Sequence, residues 1–494
     1  MSIFPHPAYS RHVLQPAYND AQAYLFEPML CAHEAHGIML AECEIISQEN
    51  AQAILTAVAH IRQKGVAAYA YEPGIEDLFF RIEGAIIEQA GPDYGGNLQL
   101  ARSRNDLGQA LFRMAFRQQV LELSAALLAL RRTVYSLALA HLDTLMPGYT
   151  HTQPAQPTTF AHYLAGVLVF LGKDQARLSQ AYVNINESPL GAAAFTGTGF
   201  PIDRDRSAQL LGFDGPIAST HHSIGAGDHL TDAAFAIQSL AIGLSRVTRD
   251  LLFLATKEAS AIHIDDSFIQ ISSIMPQKRN PVVLEHLRAR LSRVIGAAQT
   301  VTFQCHNIPY GDTQDIEDEI MPPMLDSMAI MQDCVQLYEA VFSTLKLNKE
   351  HLRERASRGF TTATELADTL VREVGLPFRL AHKIVATMVQ DAVQAGLSSE
   401  DLTLDHLQQA ALSIVDQQLD FSQKQFEQAL DPHYFIRIRN GEGGAAPDAT
   451  SELLIKSSQA IDDDQRQYDK KIQHLAHAEA ARKQAMDQLL QSVR

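Results

Sequence analysis

Four short segments concentrate the residue types that carry acid–base and carboxylate chemistry: ARSRND (101–106), PGYTHTQPAQPTTFAHY (147–163), ISSIMPQKRNP (271–281) and NIPYGDTQDIEDE (307–319). In the third, Ser272 and Ser273 precede Ile274, Met275 and Pro276, and Lys278, Asn280 and Pro281 lead directly into a helical pattern. Two hydroxyls and an ammonium on a loop whose backbone amides can surround an anion are the groups needed to lower a serine pKa and make it a base. Serine is a poor base in water, so the role demands strong local stabilisation of its alkoxide. About two helical turns past Lys278 stands Glu285. His151, flanked by Thr150 and Thr152 and bracketed by Pro147 and Pro154, is a natural partner for that carboxylate, which would orient and recharge an imidazole.

All four segments are expected at helix ends, where Ser, Thr and Asn side chains with Lys or Arg make carboxylate sites. A polar substrate bearing carboxylates is the first inference. For Ser103, Asn105 or Thr158 taken alone, a helix cap is the plainer reading. Other signals are weaker. His33 and His36 stand near Cys31, but HEAH lacks the zincin spacing, so no metal or other cofactor is expected. His221 and His222, in STHHSIGAGD, read as a surface pair. GEGG at 441 is a turn, with no Gly-Lys after it to hold phosphate.

Long helices must position these segments. A Pro costs about 3 kcal/mol and a Gly about 1 kcal/mol inside a helix. From Gln109 to Met146 there is neither, and Leu111, Met114, Ala115, Val120, Leu123, Leu127, Leu128 and Leu130 recur near helical spacing. Comparable stretches run from Thr159 to Ser188, Asp228 to Ile264, Val282 to His306 and Pro323 to about Leu347, with Gly166, Gly172, Gly243 and Gly296 inside three of them. Several are apolar around much of their circumference and need cover on several faces, which predicts a central bundle and a homo-oligomer rather than a coiled-coil rod. The expected organisation is all-α and three-part: residues 1–104, a central bundle over 105–347, and 348–494. Period-2 alternation is scarce, and FIRIRN after Tyr434 is the best strand candidate.

Composition narrows the function classes. The 494 residues carry 40 Lys plus Arg against 57 Asp plus Glu, a formal charge of −17, which argues against a nucleic-acid or anionic-membrane partner. Four cysteines without regular spacing make neither a disulfide framework nor a zinc ribbon. No secretory signal opens the chain, and no run reaches the roughly 20 apolar residues needed to span a bilayer. A cytoplasmic enzyme is the expectation.

Taken together, these segments resemble the fumarase and aspartase superfamily, and within it the argininosuccinate lyase branch. The resemblance runs over nearly the whole chain: AHEAHGIML from Ala32, EDLFFRIEGAIIEQAG from Glu76, ARSRND, GYTHTQPAQPTTFAHYL, SPLGAAAFTGTGFPIDR from Ser188, SSIMPQKRNP, LADTLVREVGLPFRLAHKIV and GEGGAAP at Gly441. SSIMPQKRNP is the superfamily signature, while RSRND and PQK mark the branch. The resemblance implies a homotetramer whose active sites take loops from three subunits. It implies that Ser272 removes the β-proton beside a carboxylate, that Lys278 and Asn280 stabilise the resulting aci-carboxylate, and that His151 with Glu285 protonates the leaving nitrogen. Ser103, Arg104, Asn105, Thr150, Tyr310 and Gln314 would grip the substrate.

Departures from the branch bear on specificity. The chain has no Trp, its first thirty residues do not match the branch's opening segment, and Ile271 stands where the branch has Gly. The spacing from Tyr310 to Gln314 is one residue short, and the lysine expected three residues later is Glu317. Five acids and no base lie between Asp312 and Glu319. Either this run lines the pocket and selects a cationic amine, or it is a solvated helix start. The implied reaction is reversible β-elimination of fumarate from an N-substituted aspartate, with argininosuccinate the first expectation. Another N-succinyl amine, as in ethylenediamine-disuccinate lyase, is the alternative. A crystallin-like structural role is countered by Ser272, His151, Lys278 and Glu285 occurring together.

Overall fold

Eight helices set the frame of the computed structural model, which describes residues 4–491: α1 (Phe26–Glu42), α2 (Gln48–Lys64), α3 (Arg104–Leu139), α4 (Phe160–Ile185), α5 (Asp228–Leu254), α6 (Val282–Cys305), α7 (Met321–Thr344) and α8 (Pro447–Gln491). The outermost three residues of the first and last expected stretches lie outside that range. Ser103 starts α3 with a capping box shared with Asp106, and its apolar face (Leu107, Leu111, Met114, Leu121, Leu128) is buried. The helix packs on α4 and α7; α5 packs on α4 and α6, and α6 on α7. One apolar core runs through this bundle and into the α1–α2 region. Gly243, inside α5, is where that packing is closest: a Cβ there would sit 2.7 Å from the Phe170 ring.

A second, separate core spans Leu366 to Ala429, built on the helices Ala363–Thr369, Phe378–Gln394, Leu404–Val415 and Gln423–Leu430. The chain then returns. Helix α8 lies along α3 and α4 and reaches α1 and α2, with Leu454 and Ala485 in the main core. Buried charges fasten it: Arg482 donates to Glu34 at 3.0 Å and to the Leu210 carbonyl at 2.9 Å, while Arg131 reaches Asp464 at 2.6 Å.

Three sequence expectations need correction. Helix α3 stops at Leu139 rather than Met146, because the chain from Leu145 leaves to form a hairpin: β1 (Leu145–Thr150) pairs antiparallel with β2 (Gln153–Thr159), with Leu145 opposite Thr159. Helix α5 ends at Leu254, not Ile264, since Ile262–His263 pairs with Lys346–Leu347 beyond α7. FIRIRN is not a strand. Asp431 caps His433 and Tyr434, Pro432 occupies the first turn, and Pro432–Arg437 is helical.

Candidate active site

Following the helices sorts the expected site residues into two groups. Arg104 opens α3, and it shares a cavity of about 200 Å³ with Gln314, Glu317 and Asp318, which precede α7. Cys305 ends α6 and lies beside Gly227 at the start of α5, and Tyr310 follows against His222. Ser103, Arg104, Asn105, Tyr310 and Gln314 therefore stand at one end of the bundle. The hairpin that carries Thr150 and His151 follows the other end of α3, with Tyr149 edge-on to Phe253 near the end of α5 at 5.1 Å. The Ser272–Asn280 loop and Glu285 open α6, so they too belong to that far end. The 24 residues of α6 separate the Ser272 loop from Tyr310 by about 36 Å.

At the far end, Gln270–Ile271 pairs with Arg279–Asn280 and closes the base of the serine loop. Arg279 is ion-paired with Asp266. The Ser272 hydroxyl accepts the backbone N–H of Ile274 at 3.3 Å and of Met275 at 3.0 Å. Two amides converging on one oxygen are the stabilisation a serine alkoxide requires. Ile271 and Ile274 are 76% and 82% exposed, an unusual cost for two isoleucines on a loop tip. Lys278 is exposed on the same loop, Asn280 is half-buried at its base, and Glu285 is exposed in the first turn of α6.

His151 and Thr152 form the two-residue turn of the hairpin, with φ of 50° and 64°. Consecutive left-handed residues are what a tight hairpin needs, but Gly and Asn usually supply them. A β-branched threonine there stores strain of about 1–3 kcal/mol, as functional sites often do. His151 is exposed, and no hydrogen bond or ion pair joins it to Glu285 within the chain. The expected pairing is not made inside a single protomer.

At the near end Arg104, expected to grip the substrate, is held by acids of its own chain. Arg104 donates from Nη1 to Asp77 at 2.7 Å and to Glu76 at 3.2 Å, and lies 4.8 Å over the Phe80 ring. The Asp312–Glu319 run is not a fully solvated helix start: a π-helical turn over Asp315–Glu319 buries Ile316 and brings Glu317 and Asp318 into the cavity wall. Burial, then Asp77 and Glu319, pushes the Asp318 carboxyl up to about 6. Burial, then Asp312, raises Glu317, which also accepts from Gln314 at 3.0 Å. Tyr9, Leu14 and Tyr18 supply part of the other wall, from an N-terminal segment for which the sequence suggested no role.

Ser103 spends its hydroxyl on Asn105 and on its cap, and Asn105 reaches the Ala194 carbonyl at 3.4 Å. Asp106 is fully buried and accepts from Gly191 and Ala193 at 3.0 and 2.9 Å, tying this corner to the 188–201 loop; burial raises it to about 6. Sequence reasoning missed Asp77 and passed over His221 and His222, which are not a free surface pair: both hold Tyr310. Their adjacency in STHHSIGAGD was the available signal. His33 and His36 are buried in α1, and no group of three or more His, Cys, Asp or Glu among the described residues is placed to hold a metal ion.

This bundle of long helices is a fold found in solved structures of lyases. A class II fumarase from Schistosoma mansoni shares it at 16% identity and a TM-score of 0.70, with 86% of this chain and 92% of that one covered. The family model described as lyase matches residues 18–296, and the argininosuccinate lyase C-terminal model matches 360–437. Argininosuccinate lyase from Methanococcoides burtonii is 35% identical over 90% of this chain and 89% of its own. That from Methanocaldococcus jannaschii is 35% identical over 91% and 92%. EDDS lyase in complex with formate is 32% identical, with a TM-score of 0.89 over 99% of this chain and 96% of that one. The chain belongs to the argininosuccinate lyase branch of the fumarase and aspartase superfamily.

Proposed function

We propose that this chain is a carbon–nitrogen lyase that releases fumarate from an N-substituted aspartate by reversible β-elimination. The observation that carries the reading is Ser272: its hydroxyl sits in the branch signature with two backbone N–H groups aimed at it. As alkoxide it takes the β-proton, and the electron pair passes into the adjacent carboxylate. Lys278 and Asn280 stabilise that doubly charged intermediate. The C–N bond then breaks, the C=C bond of fumarate forms, and the leaving nitrogen takes a proton from His151, held by Glu285 of a neighbouring subunit.

A site divided between bundle ends about 36 Å apart needs more than one chain. We assign the active form as a homotetramer of three-part subunits, in which the near end of one subunit meets the far ends of others. The exposed Ile271 and Ile274 support this, because a neighbouring subunit would cover them. Such an enzyme works on a free metabolite in the cytoplasm; no described helix is long and apolar enough to cross a membrane.

For the amine half, argininosuccinate is the first substrate to test. A second reading has a specific observation behind it: the cavity at the near end holds Glu76, Asp77, Glu317 and Asp318, and the one cation among its described lining residues, Arg104, is already paired. That balance suits a cationic amine without a carboxylate, such as a diamine. Mixing the purified protein separately with argininosuccinate and with an N-succinyl diamine, and following fumarate absorbance, tests both. Release from either supports the lyase, and the faster substrate names the amine. Absence of fumarate from both counts against the reading.

A further inference from the structure

Tyr310 is 59% exposed, yet it is held at three points. Its backbone carbonyl lies 3.0 Å from His221 Nε2, and the two rings stack at 5.5 Å. Its backbone packs on Gly225 so closely that a Cβ there would come within 2.9 Å of the Tyr310 carbonyl carbon. Its phenolic oxygen lies 2.5 Å from His222 Nδ1.

The third contact continues inward. His222 Nε2 faces Asp228 Oδ2 at 3.6 Å. Asp228 is in turn fixed by the His229 backbone N–H at 2.9 Å, and contact with His229 holds its carboxyl well below the usual range, so it is an anion. Arg113 closes the row from the far side, with Nη2 3.2 Å from His229 Nδ1. An anionic carboxylate 3.6 Å from Nε2 favours the tautomer with its proton there, in which the Nδ1 lone pair is free. The short contact is then Tyr310 O–H donating to Nδ1.

We propose that His222, braced by Asp228, is a positioning residue that fixes the Tyr310 hydroxyl as a hydrogen-bond acceptor toward the amine half of the substrate. A phenol has one proton to donate. With that proton committed to His222, Tyr310 presents only lone pairs to the site, and it favours an amine half that brings a second N–H donor, as a diamine or a guanidine does. An amine whose remainder is purely apolar leaves that oxygen unpaired and is disfavoured. The inference rests on the lyase reading, because it takes the Tyr310 end of the bundle to be where the amine half lies.

The test compares wild type with His222→Phe, which removes the acceptor, and with His222→Asn, whose amide oxygen can take the place of Nδ1. L-arginine, ethylenediamine and ethylamine are titrated calorimetrically onto the fumarate-saturated oligomer, and fumarate consumption is followed in parallel. The wild type should bind arginine or ethylenediamine more tightly than ethylamine. His222→Phe should weaken the tighter of the two by about tenfold, through KM far more than kcat, and His222→Asn should restore most of it. In a Tyr310→Phe background, His222→Phe should add nothing. Binding of neither amine, undiminished preference in His222→Phe, or a further loss in the Tyr310→Phe background overturns the proposal. Failure of the lyase reading shows differently, as intact binding preference without fumarate turnover.

Discussion

Arg104 is bound to Asp77, Nη1 to Oδ2 at 2.7 Å, so the cation proposed to grip the substrate is neutralised by its own chain. Asp77→Asn should release it. The expected outcome is a shift in relative kcat/KM toward a carboxylate-bearing amine, arginine over ethylenediamine, by about tenfold, measured as fumarate formed from the two N-succinyl compounds. No change in the ratio would mean that Arg104 does not face the amine half.

Glu317 occupies the position where the branch resemblance leads one to expect a lysine. Glu317→Lys puts a fixed positive charge in the cavity wall, and it should raise KM for a diamine by about tenfold or more while lowering KM for arginine. Steady-state kinetics in the fumarate-consuming direction measures both. Because the side chain is only half-buried, the effect should shrink as salt is added.

The raised pKa values at this end set a pH dependence. Asp318 titrates at about 6 and Glu317 is raised, both mainly by burial, so each binds protons more tightly folded than unfolded. Their contribution to stability is therefore full below the ordinary carboxylate range and is lost as pH rises through their folded values. A cation entering the cavity favours the ionised forms. Its affinity should rise with pH from about 5 to 7, and binding near pH 6 should release protons. Calorimetry in two buffers of different ionisation enthalpy measures that release, and uptake instead of release would contradict the cavity assignment.

His151 is best tested by a substitution that respects its backbone. With φ at 50°, Asn is the natural replacement, since it tolerates the left-handed region. His151→Asn should lower kcat by about 10²- to 10⁴-fold while leaving the melting temperature near wild type. Thr152→Gly, at φ 64°, should leave the hairpin intact or slightly more stable.

The proposed division of the site between bundle ends predicts complementation. Ser272→Ala disables the far end and Asn105→Ala the near end. Each is expected to be inactive as a pure oligomer. Unfolding and reassembling the two together should recover a sizeable fraction of turnover, because some sites then draw both ends from unmutated chains. Mixtures as inactive as their parents would argue for sites built within one subunit.

The long helices were readable because 109–146 carries neither Pro nor Gly and the other long stretches carry at most one or two, and their apolar rows fixed the buried faces. Their ends were not. Residues 140–146 carry no breaker, and only pairing of Leu145 with Thr159 draws them out of α3. A strand of the sequence Leu145–Thr150 opposite one with Pro154 and Pro157 defies strand propensity, and is set by the tight turn at His151. The reactive segments were legible as motifs, while their partners were not. Asp77 lies 27 residues from Arg104, and His222 lies 88 from Tyr310, so neither contact leaves a local pattern.

The most direct measurement is fumarate release by wild type and Ser272→Ala at matched oligomer concentration, with argininosuccinate and an N-succinyl diamine each in excess. The account predicts steady fumarate production by the wild type from at least one of them. It predicts a loss of about 10³-fold or more in kcat for Ser272→Ala, with assembly unchanged. Turnover by Ser272→Ala within a few-fold of wild type would contradict Ser272 as the base, and a wild type that releases no fumarate from either compound would contradict the lyase itself.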